Sequence, residues 1–240
     1  MGKKKKERTN KKFAAKVNLQ ELQESRNGGQ AALRGYSYQF LYSCNLILSS
    51  DADTVFILEG IEDVDAIKCS DGSKTITHIQ VKYSTQHQDA SFMDSVLKNY
   101  LEAYLIDRNR YFKLVYDFSV ASGNLRKLFL GNLDKNSKEF WKTKIDNIKN
   151  ETASWNWSDF NFEDFMHRLS FINVKKDSLE KSIEDFLIKN FEIETDNISL
   201  FANGIKLLCL DKMESRAKVT RSEITQCIEK IKFDVSKGPQ

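Results

Sequence analysis

The stretch Glu59-Gly60-Ile61-Glu62-Asp63-Val64-Asp65, followed by Asp71-Gly72 and then His78-Ile79-Gln80-Val81-Lys82, decides how this chain is read. Asp-Gly between two runs rich in Val, Ile and Thr is a strong signal for a hairpin with a two-residue turn. Such a turn makes the numbers of directly opposed residues sum to 143, so Asp63 faces Gln80 and Asp65 faces His78. Side chains alternate along a strand. Asp63, Asp65, His78, Gln80 and Lys82 therefore share one face, and Ile79, Val81 and Tyr83 take the other.

Working outward, residues 31–50 carry Leu33, Tyr36, Phe40, Ile47 and Leu48 near helical spacing, after Asn27-Gly28-Gly29 breaks a short helical pattern. Residues 54–60, 63–70 and 75–84 read as strands. A helix over 89–109 follows, through Phe92, Val96, Leu97, Tyr100, Leu101 and Tyr104, and a further strand over 112–122 closes at Gly123. The order helix, three strands, helix, strand describes an α/β fold, a mixed sheet covered by helices. From Asn124 onward the pattern is almost wholly helical. Thr220-Arg221-Ser222-Glu223 forms a capping box for the last helix. Trp155, Trp157, Phe160, Phe162 and Phe165 are read as core packing rather than a base-stacking surface. The expected organisation is a basic arm over 1–27, a core over 28–123 and a C-terminal helical region over 124–240.

Composition narrows the classes. No apolar run nears the length of a membrane span, and the N-terminus lacks the apolar stretch of a signal peptide, which favours a cytoplasmic protein. Cys44, Cys69, Cys209 and Cys227 lie far apart with no Cys-x-x-Cys pair, so they read as small hydrophobes. The net charge of +3 is uneven: residues 1–16 hold eight Lys/Arg against Glu7, leaving 29 basic and 33 acidic residues elsewhere, a balance of −4. Lys3, Lys4, Lys5 and Lys6 head an arm that could attract phosphates or simply be solvated.

Acids, an amide and an ammonium on one strand face suit phosphodiester chemistry. Carboxylates hold a hard cation such as Mg²⁺ or Mn²⁺, and the metal polarises phosphate and acidifies a bound water. A lysine steadies the charge that builds on phosphorus. The candidate catalytic residues are Asp63, Asp65, Gln80 and Lys82, with Asp63, Asp65 and Gln80 as metal ligands. Glu59, Glu62, Tyr36, Tyr38 and Gln39 are candidates to line the site.

An acid heading one strand, a hairpin and a Gln-x-Lys triplet on the next strand resemble the PD-(D/E)xK, restriction-endonuclease-like superfamily. With Gly35-Tyr36-Ser37-Tyr38-Gln39 and Glu62-Asp63-Val64-Asp65, the chain looks most similar to the double-stranded-DNA endonuclease domains of CBASS-type and related anti-phage effectors. The resemblance covers roughly residues 28–122. The superfamily's proline is missing, and the metal acid is open between Asp63 and Asp65, since the register favours the first and the family habit the second. The resemblance implies an Mg²⁺-dependent endonuclease acting on double-stranded DNA, a sensor or ATPase partner, SMC-like in some relatives, or a fused sensor domain, and control by oligomeric assembly. Two other readings stand beside it. One is a nuclease-like module without catalysis that binds nucleic acid or a partner protein; the other is an adaptor working through its helical half. An edge hairpin with solvated charges is the plain structural explanation of the same residues.

Overall fold

The computed structural model describes residues 28–70 and 72–237. The arm over 1–27, with Lys3, Lys4, Lys5 and Lys6, lies outside the described residues, as does Asp71.

Helix α1 (Gly28–Ser49) leads into β1 (Thr54–Leu58), β2 (Val64–Ser70) and β3 (Ser73–Tyr83). Helix α2 (Met93–Ile106) and β4 (Tyr111–Asp117) follow. The remainder comprises α3 (Asn124–Phe129), α4 (Lys135–Glu151), α5 (Phe162–His167), β5 (Leu169–Asn173), α6 (Lys176–Phe191), α7 (Ile198–Ser215), β6 (Lys218–Thr220) and α8 (Arg221–Ser236). The strands form one sheet in the order β5-β4-β3-β2-β1-β6. Strands β3, β4 and β5 run parallel, while β3, β2, β1 and β6 pair antiparallel. This is a mixed α/β fold with a central sheet flanked by helices.

The hairpin register is the one the Asp-Gly turn dictates, with Asp65 opposite His78 and Ser70 opposite Ser73. Gly72 takes φ +78°, a conformation that costs glycine little. Alternation then splits the sheet between two cores. Phe56, Leu58, Val64, Ile79 and Val81 point into one core with α1, α6, α7 and α8. Phe112 and Leu114 point into the other with α2, α3, α4 and α5. Phe165 and Trp157 are buried there, and Trp155, Phe160 and Phe162 pack against them, so that aromatic cluster is core.

One expectation needs correction. The segment after Asn124 is not a separate helical region, because it supplies two strands to the sheet and three of the four helices over one face. Leu169–Asn173 lacks clear alternation and reads poorly as a strand in isolation. Its partner is β4, more than fifty residues earlier, and β-structure of this kind is set by packing rather than by local preference. The last helix begins as the sequence predicts: the Thr220 hydroxyl accepts from the Glu223 N–H at 3.3 Å, and the Thr220 N–H donates to Glu223 Oε2 at 2.9 Å.

Candidate ligand-binding site

The polar face of the β2–β3 hairpin lies beneath the outer end of α2. It separates into two groups of side chains with different work to do. Asp65 and His78 are both buried. The Arg110 guanidinium donates to His78 Nε2 at 2.8 Å, and because Arg can only donate, the proton sits on His78 Nδ1 and is given to Asp65 Oδ1 at 2.6 Å. Asp65 also accepts from the backbone N–H groups of Ile61, at 2.8 Å, and Glu62, at 3.4 Å. The carboxylate thus folds the 59–63 loop onto the sheet. Gly60 is required there, since a Cβ would collide with the Asp65 carboxylate, its Cγ lying 2.9 Å away.

Glu59, Glu62, Asp63, Gln80 and Lys82 form the second group. Glu59 adopts φ 54°, a left-handed conformation unusual for a residue with a side chain, and its N–H donates to the Asp63 carbonyl at 3.0 Å. Gln39, buried on α1, donates to the Glu59 carboxylate from below. Asp63 Oδ2 accepts from the Val81 N–H at 2.6 Å, which places the Asp63 side chain beside the Gln80-Val81-Lys82 run. Gln80 is buried and its Oε1 has no hydrogen-bond partner. An orphaned carbonyl oxygen in that position costs stability unless something else occupies its lone pairs. Lys82 is half-buried, close enough to Glu62 and Asp63 to lower the pKa of both.

Electrostatics in this group are under tension. Burial pushes the Glu62 carboxyl up to about 7, with Asp63 adding to the rise and Lys82 and a hydrogen bond from Asn99 opposing it. Asp63 is raised as well, chiefly by burial, against the pull of Lys82 and the Val81 N–H. A raised carboxylate pKa means the folded chain keeps a proton that the unfolded chain has released. Stability contributed at low pH is therefore lost as pH rises from the ordinary glutamate range through about 7. Glu62→Gln removes that penalty, which is on the order of 2–3 kcal/mol. The variant is expected to be more stable than the parent at about pH 8 and no more stable at about pH 4. Urea unfolding at the two pH values checks this, and an equal difference at both would show that Glu62 is not the group responsible.

Of the residues picked out by sequence, Asp63, Gln80 and Lys82 come together with Glu59, Glu62 and Gln39. Asp65 lies beside them but is engaged by His78 and the loop amides. Tyr38 belongs to the α1 core, fully buried, its hydroxyl donating to the Val174 carbonyl at 2.8 Å, and Tyr36 is exposed on the outer face of α1. Sequence reading missed Arg110 and Asn99, which approach from the loop before β4 and from α2 and carry no motif. Next to the cluster, Ile61, Glu62, Asn99, Glu102, Ala103, Ile106 and Arg110 enclose a pocket of about 370 Å³.

No protein-family model matches the chain, and no curated protein matches it in sequence. Solved structures do share its fold. A Cap4 SAVED/CARF-domain containing receptor from Acinetobacter baumannii, with the cyclic trinucleotide 3′3′3′-cAAA, is 14% identical with a TM-score of 0.53, over 81% of this chain and 44% of that one. The same receptor with 2′3′3′-cAAA gives 14% and 0.53, over 84% and 45%. The Moraxella osloensis Cap4 SAVED/CARF-domain containing receptor is 16% identical with a TM-score of 0.50, over 82% and 47%. The chain spans less than half the length of these receptors.

These findings correct the expectation of an Mg²⁺-dependent DNA endonuclease of the PD-(D/E)xK superfamily. The proteins that share the fold are described as SAVED/CARF-domain containing receptors, in two of the structures with a cyclic trinucleotide, and not as nucleases. Among the described residues, no group of three or more His, Cys, Asp or Glu side chains is placed to hold a metal ion. The physical reason lies in the hairpin: Asp65, one of the two acids assigned to the metal, spends its carboxylate on His78 and on the loop amides of Ile61 and Glu62.

Proposed function

We propose that the chain is a non-catalytic binding module of a defence receptor working in the cytoplasm, and that the Asp63–Gln80–Lys82 cluster takes a phosphate of double-stranded DNA through a divalent cation. The observation that carries this reading is the buried, unpartnered Oε1 of Gln80. It lies next along β3 to Val81, whose N–H holds Asp63, and one side-chain alternation from Lys82. A carboxylate oxygen, an amide oxygen and waters are the donor set of a hard cation such as Mg²⁺ or Mn²⁺. The cation would offset the burial, and the lesser repulsion between acids, that raise Glu62 and Asp63, and Lys82 would meet the phosphate directly. Without a cation the acids would repel DNA.

The partner side of the reading follows from the receptors that share the fold. A ligand-sensing partner, fused or separate, would present or withdraw this module, with assembly as the control. Lys3, Lys4, Lys5 and Lys6 would add attraction to phosphates that carries no sequence information.

The test is fluorescence anisotropy with a labelled DNA duplex, titrated in Mg²⁺, Mn²⁺ and chelator, with gel analysis of the recovered DNA. Binding should require the cation and weaken about tenfold or more in Lys82→Ala and in Asp63→Asn, each change removing a charge-assisted contact. Cation-independent binding unaffected by both changes would remove the cluster from the reading. Recovery of cut DNA that depends on Lys82 would overturn the non-catalytic assignment itself.

A further inference from the structure

The cluster on the hairpin leaves unused two nucleophilic side chains on the other side of the sheet. Cys44 on α1 and Cys209 on α7 are both fully buried, and their sulfurs are 3.4 Å apart. They are separated by 165 residues in the chain, and only the packing of α1 on α7 brings them together. A disulfide needs sulfurs about 2.05 Å apart, so closing the contact takes a movement of about 1.4 Å, which small side-chain and helix adjustments supply. The same helix pair carries an apolar groove of about 560 Å³, lined by Phe40 and Leu41 of α1 and by Lys206, Leu207 and Leu210 of α7 among others. Leu41 and Lys206 are one helical turn from Cys44 and Cys209. Neither cysteine lines the groove, which lies one helical turn from the buried thiol pair, and its mostly apolar lining favours a small apolar oxidant over a charged one.

We propose that Cys44 and Cys209 are a modification site, a buried dithiol that organic hydroperoxides convert to a disulfide fastening α1 to α7. One sulfur attacks the peroxide O–O bond, releasing an alcohol and becoming a sulfenic acid. The second sulfur displaces that hydroxyl as water, so two thiols and one hydroperoxide give one disulfide, one alcohol and one water. The two sulfurs together lose two electrons, and the peroxide gains them. Cys44 is held as the thiol by its contact with Cys209 and by burial, so reaction proceeds through the opened helix pair and is slow. The bond closes a very long loop, the case in which a cross-link restricts the unfolded chain most. It also fixes α1, the helix whose Gln39 holds Glu59 at the ligand cluster.

The experiment treats the full chain with cumene hydroperoxide, blocks remaining thiols after denaturation and maps the peptides without reduction. A peptide pair joining Cys44 to Cys209 is expected, with a melting temperature several degrees higher that returns to its starting value with dithiothreitol. Cys69, exposed on β2, and Cys227, half-buried on α8, serve as controls. Cys69→Ser and Cys227→Ser should retain the link and the shift, and Cys44→Ala or Cys209→Ala should lose both. The wild-type map needs no variant to fold. The proposal is overturned if Cys44 and Cys209 are recovered as free thiols at a dose that oxidises Cys69, or if oxidation yields only Cys69-linked dimers.

Discussion

Asp65→Ala is expected to lower the free energy of unfolding by about 3–5 kcal/mol, the range for breaking a buried charged network by removing one partner. The carboxylate satisfies three donors at once: His78 Nδ1–H and the N–H groups of Ile61 and Glu62. Each donor left buried without an acceptor costs about 1–3 kcal/mol, less whatever relaxation lets water reach the loop. Arg110 loses its purchase as well, since His78 would be free to turn. Asp63→Asn is the informative comparison. Burial disfavours the Asp63 charge, so its neutral isostere should cost little stability or even raise it, while weakening ligand binding. Urea unfolding of the two variants at neutral pH separates the roles. If Asp63→Asn proved as damaging as Asp65→Ala, the division of the hairpin into a scaffold acid and a ligand acid would be wrong.

Phe112→Ala should cost about 3–5 kcal/mol, as for other fully buried aromatic truncations. Phe112 has no exposed surface and touches three rings, with centroids 4.9 Å from Tyr100, 5.7 Å from His78 and 6.1 Å from Phe165. It is the plate against which His78 lies. Removing it leaves a cavity in the core under α2 and deprives the Arg110–His78–Asp65 chain of its backing. Phe112→Leu should lose less than half as much, because most of the volume is retained. A loss below about 1 kcal/mol for the alanine variant would mean that α2 collapses onto the gap and that His78 is held by its hydrogen bonds alone.

The hairpin, its register and the face shared by Asp65, His78, Gln80 and Lys82 were legible in the sequence because they depend on local rules: a two-residue turn and a period of two. The same holds for the Thr220–Glu223 capping box and for the presence of helices α1 and α2, although Leu33 and Tyr36, read as part of the apolar face of α1, are exposed. Cys69 shows where local reading fails, being exposed although its residue type is usually buried. Strand β5 shows it again, with five residues given strand structure by a neighbour that is remote in sequence.

The sequence by itself therefore determined which side chains lie on which face of the hairpin, and that acids, an amide and a lysine would meet there. Choosing between Asp63 and Asp65 was beyond it, because the choice rests on His78, whose orientation is set by Arg110, just before β4, and by the ring of Phe112. The tertiary structure also decided that the C-terminal half is part of the same sheet and core, and that Cys44 meets Cys209. The physical reason is the same in each case. Alternation and turn chemistry act over a few residues, whereas burial, orphaned hydrogen-bonding groups and raised carboxylate pKa values arise only when distant segments exclude water from one another.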